Sequence, residues 1–367
     1  MKVIGVIGGG QLARMMIGPA VELGLELRVL AETSGSSARD RATSVGDFRD
    51  LDTVLAFARN VDVITFDHEH VPTDIIVALE KTGVAVRPGS AALAFAQDKI
   101  VMRERLQELG HPLPVWSVAH TAVEVSSFLD ANGGRIIAKV PRGGYDGKGV
   151  TVVTDPAQIE EWLARGPVLL EEMVDFSREL AQLVARRPSG ETVAWPAVET
   201  TQTNGVCTEV ILPAPHKNGG IIEVAAELGR RIAQDLDVTG VLAVELFETT
   251  DGRLLVNELA MRPHNSGHVT IEGSVTSQFE QHLRAVADIP LGSTASQHPW
   301  AVMVNVFGGM DLERYSRLLA SSDVKLHNYG KEPRTGRKVG HVTATGTDVA
   351  DTSSRARAVA EIFHADI

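Results

Sequence analysis

The chain has 367 residues and a formal net charge of −12, from 35 basic and 47 acidic side chains. That surplus excludes nucleic acid as the main partner, because a phosphate backbone calls for a broad basic footprint; a small phosphorylated ligand needs only a local group of cations. Hydrophobic residues at 44% and charged residues at 22% suit a globular protein of roughly two or three domains. The single cysteine, Cys207, fits a reducing compartment, and no apolar run approaches membrane-spanning length. A cytoplasmic protein with no membrane partner is expected.

Residues 2–7 read as a buried strand that breaks into Gly8-Gly9-Gly10, after which apolar positions recur at helical spacing to Leu23. A second strand, 25–30, ends at Glu32. Gly8, Gly10 and Ala13 fit the glycine pattern of dinucleotide-binding turns, and Glu32 sits about where a ribose-binding acid would. An NAD-dependent oxidoreductase is therefore one candidate, although it explains only the first 32 residues. Residues 61–66 form another buried strand, ending at Asp67-His68-Glu69-His70, and the pattern to about residue 90 completes an α/β domain. Asp98-Lys99 opens an amphipathic helix that Gly110 and Pro112 terminate. A small α+β lid is expected next: strands at 136–140, 150–153 and 168–170, with a helix near 156–164. From about 179 to 287 the pattern gives strands and one long helix, 222–236; from about 299 it gives short strands and a basic patch between Lys331 and Lys338.

Three stretches carry chemistry. Between Lys139 and Val150, glycines stand at 143, 144, 147 and 149, with Lys148 among them. Glycine weakens strands and helices, so this density suits a loop whose amides fold over phosphates while the two lysines add charge. Such a loop should need a nucleotide to order it. Residues 168–174 run an apolar strand into Glu171, Glu172, Met173 and Val174, with Glu179 beyond. That combination offers an apolar slot and peptide groups for an adenine ring, and a carboxylate for a ribose diol, though alone it equally describes a strand leaving the core. The third stretch is a hairpin. Apolar residues 241–244 deliver Glu245, Thr249-Thr250-Asp251-Gly252-Arg253 turns the chain, and 254–256 deliver Asn257 and Glu258. Pairing across that turn would bring Glu245 and Glu258 together on one face, as a hard Mg²⁺ ion shared with nucleotide phosphates requires. The two acids alone would also fit an ordinary hairpin with solvated carboxylates. Arg262, His264, Asn265 and His268, immediately downstream, favour the ligand site.

Two lysines, a glycine lid, a strand with a carboxylate and two glutamates on a hairpin, in that order, resemble the ATP-grasp superfamily. Within it, Gly8-Gly9-Gly10-Gln11-Leu12, the lid, Asn257-Glu258-Leu259-Ala260, Arg262-Pro263-His264-Asn265-Ser266-Gly267-His268 and Gly336-Arg337-Lys338-Val339-Gly340-His341 resemble the N5-carboxyaminoimidazole ribonucleotide synthetases of purine biosynthesis, from about residue 3 to about 345. The resemblance implies an α/β and α+β architecture. Residues 1–97 would be a Rossmann-like domain, 98–178 a linker and lid, 179–298 the catalytic subdomain, and 299–367 a β-rich segment completing the ribonucleotide site. It assigns Lys99, Lys139, Gly144, Tyr145, Asp146, Gly147, Lys148, Gly149, Val150, Glu171, Glu172, Met173, Val174, Glu179, Gln202, Asn257 and Glu258 to ATP. Gln11, Leu12, Glu69, His264, Asn265, Ser266, Lys331, Arg337 and Lys338 would bind the ribonucleotide; Arg262, His264, Tyr145 and Lys148 would act in the chemistry; Glu245 and Glu258 would hold a pair of Mg²⁺ ions. The implied reaction joins ATP, bicarbonate and 5-aminoimidazole ribonucleotide through carboxyphosphate, in a homodimer. A sister enzyme that formylates glycinamide ribonucleotide with formate would share nearly every site residue, and a non-catalytic nucleotide sensor would lack a use for the paired glutamates.

Overall fold

The computed structural model describes residues 2–144, 148–215, 220–308, 312–320, 323–332 and 334–364. Among the described residues, three sheets organise the chain. The first is parallel throughout, in the order Ala42–Val45, Glu26–Ala31, Val3–Ile7, Val63–Phe66, Ala85–Val86. Its central strands are nearly all apolar because helices cover both faces. Ile7, Ile64 and Phe66 pack under Leu51–Ala58 and Thr73–Lys81. On the other face, Ile4, Val6 and Met16 meet Phe279, Leu283 and Val286 of the helix Gln278–Ala287, which arrives from the middle of the chain. Burying Phe279 and Leu283 there contributes roughly 2 kcal/mol each. His282 fastens the same junction, its Nε2 2.8 Å from Thr65 Oγ1 and its Nδ1 accepting from the Val241 amide at 3.1 Å. Burial pushes its pKa down to about 3, so the ring is neutral.

The second sheet is antiparallel, in the order Trp116–Ala119, Val168–Glu172, Ile136–Lys139, Val150–Val153. The helix Ala122–Ala131 begins in a reciprocal cap between Thr121 and Glu124, and buries Val125 and Leu129 against Ile136 and Leu170.

The third sheet has nine strands, and its main path runs Leu254–Ala260, Gly240–Thr249, Phe176–Arg186, Val198–Thr203, Val206–Leu212, Trp300–Gly308, Arg334–Gly346, Val324–Asn328. The long helix Ile221–Asp235 packs Ile222, Ala225 and Ile232 against Leu180, Leu242 and Val244 on one face. The last part of the chain continues this sheet, pairing Glu209 with Val304 and Ile211 with Val302. Its strands are not all short: Arg334–Gly346 has 13 residues, and a 16-residue helix, Val349–His364, follows. The helix was not foreseen because its buried stripe is weak in hydrophobicity. Thr352, Ser353 and Ala356 share it with Val359, Ala360 and Phe363. Among the described residues no helix is long and apolar enough to cross a membrane.

Candidate active site

A cleft of about 960 Å³ lies where the three sheets meet. Its hairpin end is built on the third sheet. Glu245 stands directly opposite Glu258 in the strand register, and the register shifts between Glu245 and Leu246, leaving Asn257 as an extra residue on its strand. A regular strand would send neighbouring side chains to opposite faces. At this bulge both turn the same way: Lys139 Nζ donates to Asn257 Oδ1 at 2.8 Å and lies 3.9 Å from Glu258 Oε1.

The cations of this end are held by carboxylates. Lys99 Nζ is 3.3 Å from Glu258 Oε1, and Lys139 Nζ is 2.8 Å from Glu171 Oε2. His264 Nε2 lies 3.1 Å from Glu245 Oε1, while its Nδ1 faces Ser266 Oγ at 2.8 Å. Burial pushes the Glu245 carboxyl upward, but the hydrogen bond and charge of His264, with Lys139 and Lys99 behind, bring it below the usual range. Glu179 shares the cleft face, and burial, followed by the Glu245 charge, pushes its pKa up to about 7. Phe176 and Phe247 stack at 4.8 Å between ring centres beside Met173, an apolar slot suited to a planar base.

The glycine loop is pinned at its described flanks. Asp98 caps the helix Lys99–Glu108 through the Ile100 and Val101 amides and also accepts from Arg142 Nε at 2.8 Å. Gly149 has φ +72°, and a Cβ there would come within 2.3 Å of Val140 Cγ2, so glycine is required.

The far end of the cleft joins the parallel sheet to the last strands of the third. Glu69 accepts from the Met261 amide at 2.9 Å and sits 3.2 Å from Arg262 Nη2. Lys331 Nζ donates to Gln11 Oε1 at 2.6 Å. Asn265 and Asn305 exchange amide hydrogen bonds at 2.8 and 3.1 Å. Arg337 and Lys338 line the rim of the same space. Behind the wall, the buried Gln278 accepts from the His264 amide and donates to the His264 carbonyl and His268 Nδ1, all within 2.9 Å. Its Oε1 lies 2.2 Å from where a Cβ on Gly267 would stand.

The glycine turn at the N-terminus is filled by the protein's own acids, which corrects the dinucleotide alternative. Gly9 N donates to Glu32 Oε2 at 3.1 Å, and Ala13 N donates to the buried Asp67 Oδ1 at 2.7 Å. The hydrogen bond from His68 outweighs burial and holds Glu32 down at about 2. A pyrophosphate at this helix N-terminus would meet two carboxylates where it needs free amides.

Most of the residues singled out in the sequence line this one cleft: Gln11, Leu12, Glu69, Lys99, Lys139, Gly144, Lys148, Val150, Glu171, Glu172, Met173, Val174, Glu179, Gln202, Glu245, Asn257, Glu258, Arg262, His264, Asn265, Lys331, Arg337 and Lys338. Ser266 is buried behind His264, and Gly149 stands at the base of the loop rather than in the wall. Tyr145, Asp146 and Gly147 lie outside the described residues. Glu171 presents no open carboxylate: both its oxygens are engaged, by Lys139 and by Arg103. Arg103, Phe247, Gln278 and Asn305 were not foreseen. Only Arg103 had a signal, lying four residues after Lys99 on the same helix.

Comparison with known proteins fits this geometry. The ATP-grasp domain model matches residues 104–279, the ribonucleotide synthetase preATP-grasp domain model residues 1–97, and the phosphoribosylaminoimidazole carboxylase C-terminal domain model residues 301–355. The chain is 47% identical over 371 residues to an N5-carboxyaminoimidazole ribonucleotide synthase of Mycobacterium bovis, covering 97% of this chain and 86% of that one. A solved N5-carboxyaminoimidazole ribonucleotide synthetase from Thermus thermophilus matches with a TM-score of 0.90 at 34% identity, over 98% of each chain. One from Aspergillus clavatus, in complex with ADP and 5-aminoimidazole ribonucleotide, matches with a TM-score of 0.90 at 29% identity, over 99% of each.

Proposed function

The chain belongs to the N5-carboxyaminoimidazole ribonucleotide synthase family of ATP-grasp ligases, and from that premise we propose how its cleft carries out the ATP-dependent carboxylation of 5-aminoimidazole ribonucleotide in purine biosynthesis. ATP occupies the hairpin end, with its base in the slot of Met173, Phe176 and Phe247 and its ribose hydroxyls on Glu179. Lys99, Lys139 and Lys148 take the phosphates. Glu245, Glu258 and the Asn257 amide form an all-oxygen set that fits Mg²⁺, an ion that shares phosphate ligands and neutralises their charge when bound. The ribonucleotide occupies the far end, its 5′-phosphate among Lys331, Arg337 and Lys338.

A bicarbonate oxygen attacks the γ-phosphorus as the bond to ADP breaks, and Lys139 offsets the charge spread over the transferring oxygens. The carboxyphosphate so formed hydrolyses readily, so the glycine loop must exclude water before it forms. The exocyclic amine of the ribonucleotide then bonds to the carboxyl carbon, phosphate leaves, and the amine loses a proton to give the carbamate. Arg262, held by Glu69, and His264, held by Ser266 and Gln278, steady the anion between the two substrates. Assembly as a homodimer belongs to the same reading, supported by the family resemblance; light scattering in solution tests it.

The observation that carries the assignment is that the paired glutamates, the Arg262–His264 run and the basic rim share one cleft. ADP release should depend on bicarbonate and be stimulated by aminoimidazole ribonucleotide. Stimulation by glycinamide ribonucleotide with formate instead would establish the formylating reaction.

A further inference from the structure

We infer that Arg103 is a positioning residue that keeps the charge of Lys139 available to the cleft, by taking up the negative charge of Glu171 that would otherwise cancel it. Lys99 opens its helix and Arg103 follows one turn later, wholly buried. Arg103 Nε and Nη2 donate to Glu171 Oε1 at 2.6 and 2.5 Å, and Nη2 also donates to the Asn257 carbonyl at 2.7 Å. Lys139 takes the other carboxylate oxygen, Oε2. One buried anion therefore serves two buried cations, one oxygen each. Of the two cations only Lys139 lines the cleft.

The charge balance gives this arrangement its meaning. A lone Lys139–Glu171 pair would present a phosphate with no net charge, and the pair's attraction in a low-dielectric wall is strong enough to keep it closed. With Arg103 behind Glu171, the buried group carries one positive charge in excess, at Nζ. The next acid, Glu258, lies 3.9 Å from Lys139 and is matched by Lys99 at 3.3 Å. Stability does not explain the arrangement by itself: burying an arginine is costly, and apolar replacements of buried ion pairs are often at least as stable. Arg103 also retains a buried Nη1 with no hydrogen-bond partner among the described residues.

The inference rests on the reading that Lys139 faces the ATP phosphates, and the test separates the two. Steady-state constants for ATP and for the ribonucleotide, with thermal midpoints, are compared for Lys139→Met, Arg103→Met, Arg103→Lys and the double variant Arg103→Met with Glu171→Gln. Arg103→Met should lower kcat/KM for ATP by about tenfold, the scale of one charged contact, with KM for the ribonucleotide unchanged. Neutralising Glu171 in that background should restore at least about threefold of the loss, because Lys139 is no longer cancelled. Arg103 acting only as a stitch between elements gives the opposite result, a double variant at least as impaired as the single one, and that would overturn the inference. If Arg103→Met folds too poorly to assay, Arg103→Lys decides. It keeps the charge but not the fork, so it should retain most of the kcat/KM for ATP that a neutral side chain loses, whereas a full loss of about tenfold would sink the proposal. An unchanged kcat/KM for ATP in Lys139→Met would remove the underlying placement of ATP, and this inference with it.

Discussion

The two ends of the cleft hold their cations differently. At the hairpin end Lys99 and Lys139 rest on the carboxylates of Glu258 and Glu171, and His264 on that of Glu245. At the far end Arg262 also rests on a carboxylate, that of Glu69 at 3.2 Å, but Lys331 donates to the Gln11 amide oxygen and Arg337 to the Glu332 carbonyl at 3.2 Å. A neutral partner fixes a cation without cancelling its charge; a carboxylate fixes it and cancels it. The difference matches the proposed ligands. A triphosphate arrives with metal, so the acids that hold the lysines become useful once an ion takes their charge. A single 5′-phosphate brings no such ion and draws on the charge of the rim cations directly.

The largest effect is expected from removing an acid at the hairpin end. Glu258→Gln should abolish turnover, and Glu245→Gln should reduce it severely, because each takes a charge from the proposed Mg²⁺ set. The fold should survive, since the two acids face each other across the strands. Turnover and thermal midpoint are the measurements. A Glu258→Gln rate above about a tenth of the parent, roughly 1.4 kcal/mol of barrier, would mean that metal is not held there. At the far end, Lys338→Ala should raise KM for the ribonucleotide about tenfold by deleting one charge-assisted phosphate contact. KM for ATP should stay put; equal damage to both would erase the distinction between the ends.

A smaller effect is expected at the glycine loop, whose described residues Gly143, Gly144 and Lys148 line the cleft. Gly149→Ala adds a Cβ against Val140 at a φ of +72°, a local strain of about 1 kcal/mol or more. ATP hydrolysis uncoupled from carboxylation should rise a few-fold as water reaches carboxyphosphate, with KM for the ribonucleotide little changed. Measuring phosphate against carbamate product decides it: unaltered coupling would mean that this loop is not the water barrier.

How much of this was legible in the sequence depended on range. The glutamate hairpin was readable because one turn fixes its register, and the glycine loop because its composition permits little else. The bulge that turns Asn257 and Glu258 to the same side left no mark in the residues. Gln278 supports His264 from 14 positions away and Arg103 meets Glu171 from 68, distances at which spacing carries no signal. For the same reason the helix Gln278–Ala287 could be read as part of the catalytic half, although it completes the core of the parallel sheet. The Gly8–Gly10 turn misled in the other direction. Its glycines admit a close approach, but the group that approaches is the protein's own Asp67, 2.0 Å from where a Cβ on Gly10 would stand.

The smallest effect sharpens the comparison through pH. Glu179 pairs with Phe247 across the strands, two residues along from the Ala181–Glu245 pair and on the same face. Burial, and then the Glu245 charge, raise its pKa from the usual 4.5 to about 7. Because the folded value is the higher, the stability it contributes is full below pH 4.5 and is lost as pH rises through 7. Glu179→Gln should therefore raise the thermal midpoint of the ligand-free protein at pH 8 and not below pH 4.5. Ribose hydroxyls donating to Glu179 would favour its ionised form. KM for ATP should accordingly fall two- to threefold, roughly, as pH rises through about 7, and that step should vanish in Glu179→Gln. The ribonucleotide profile should be the same in both proteins, because its end of the cleft does not contain this group. If the substitution moved both profiles alike, Glu179 would belong to the cleft as a whole, and the nucleotide's ribose would have to be placed elsewhere.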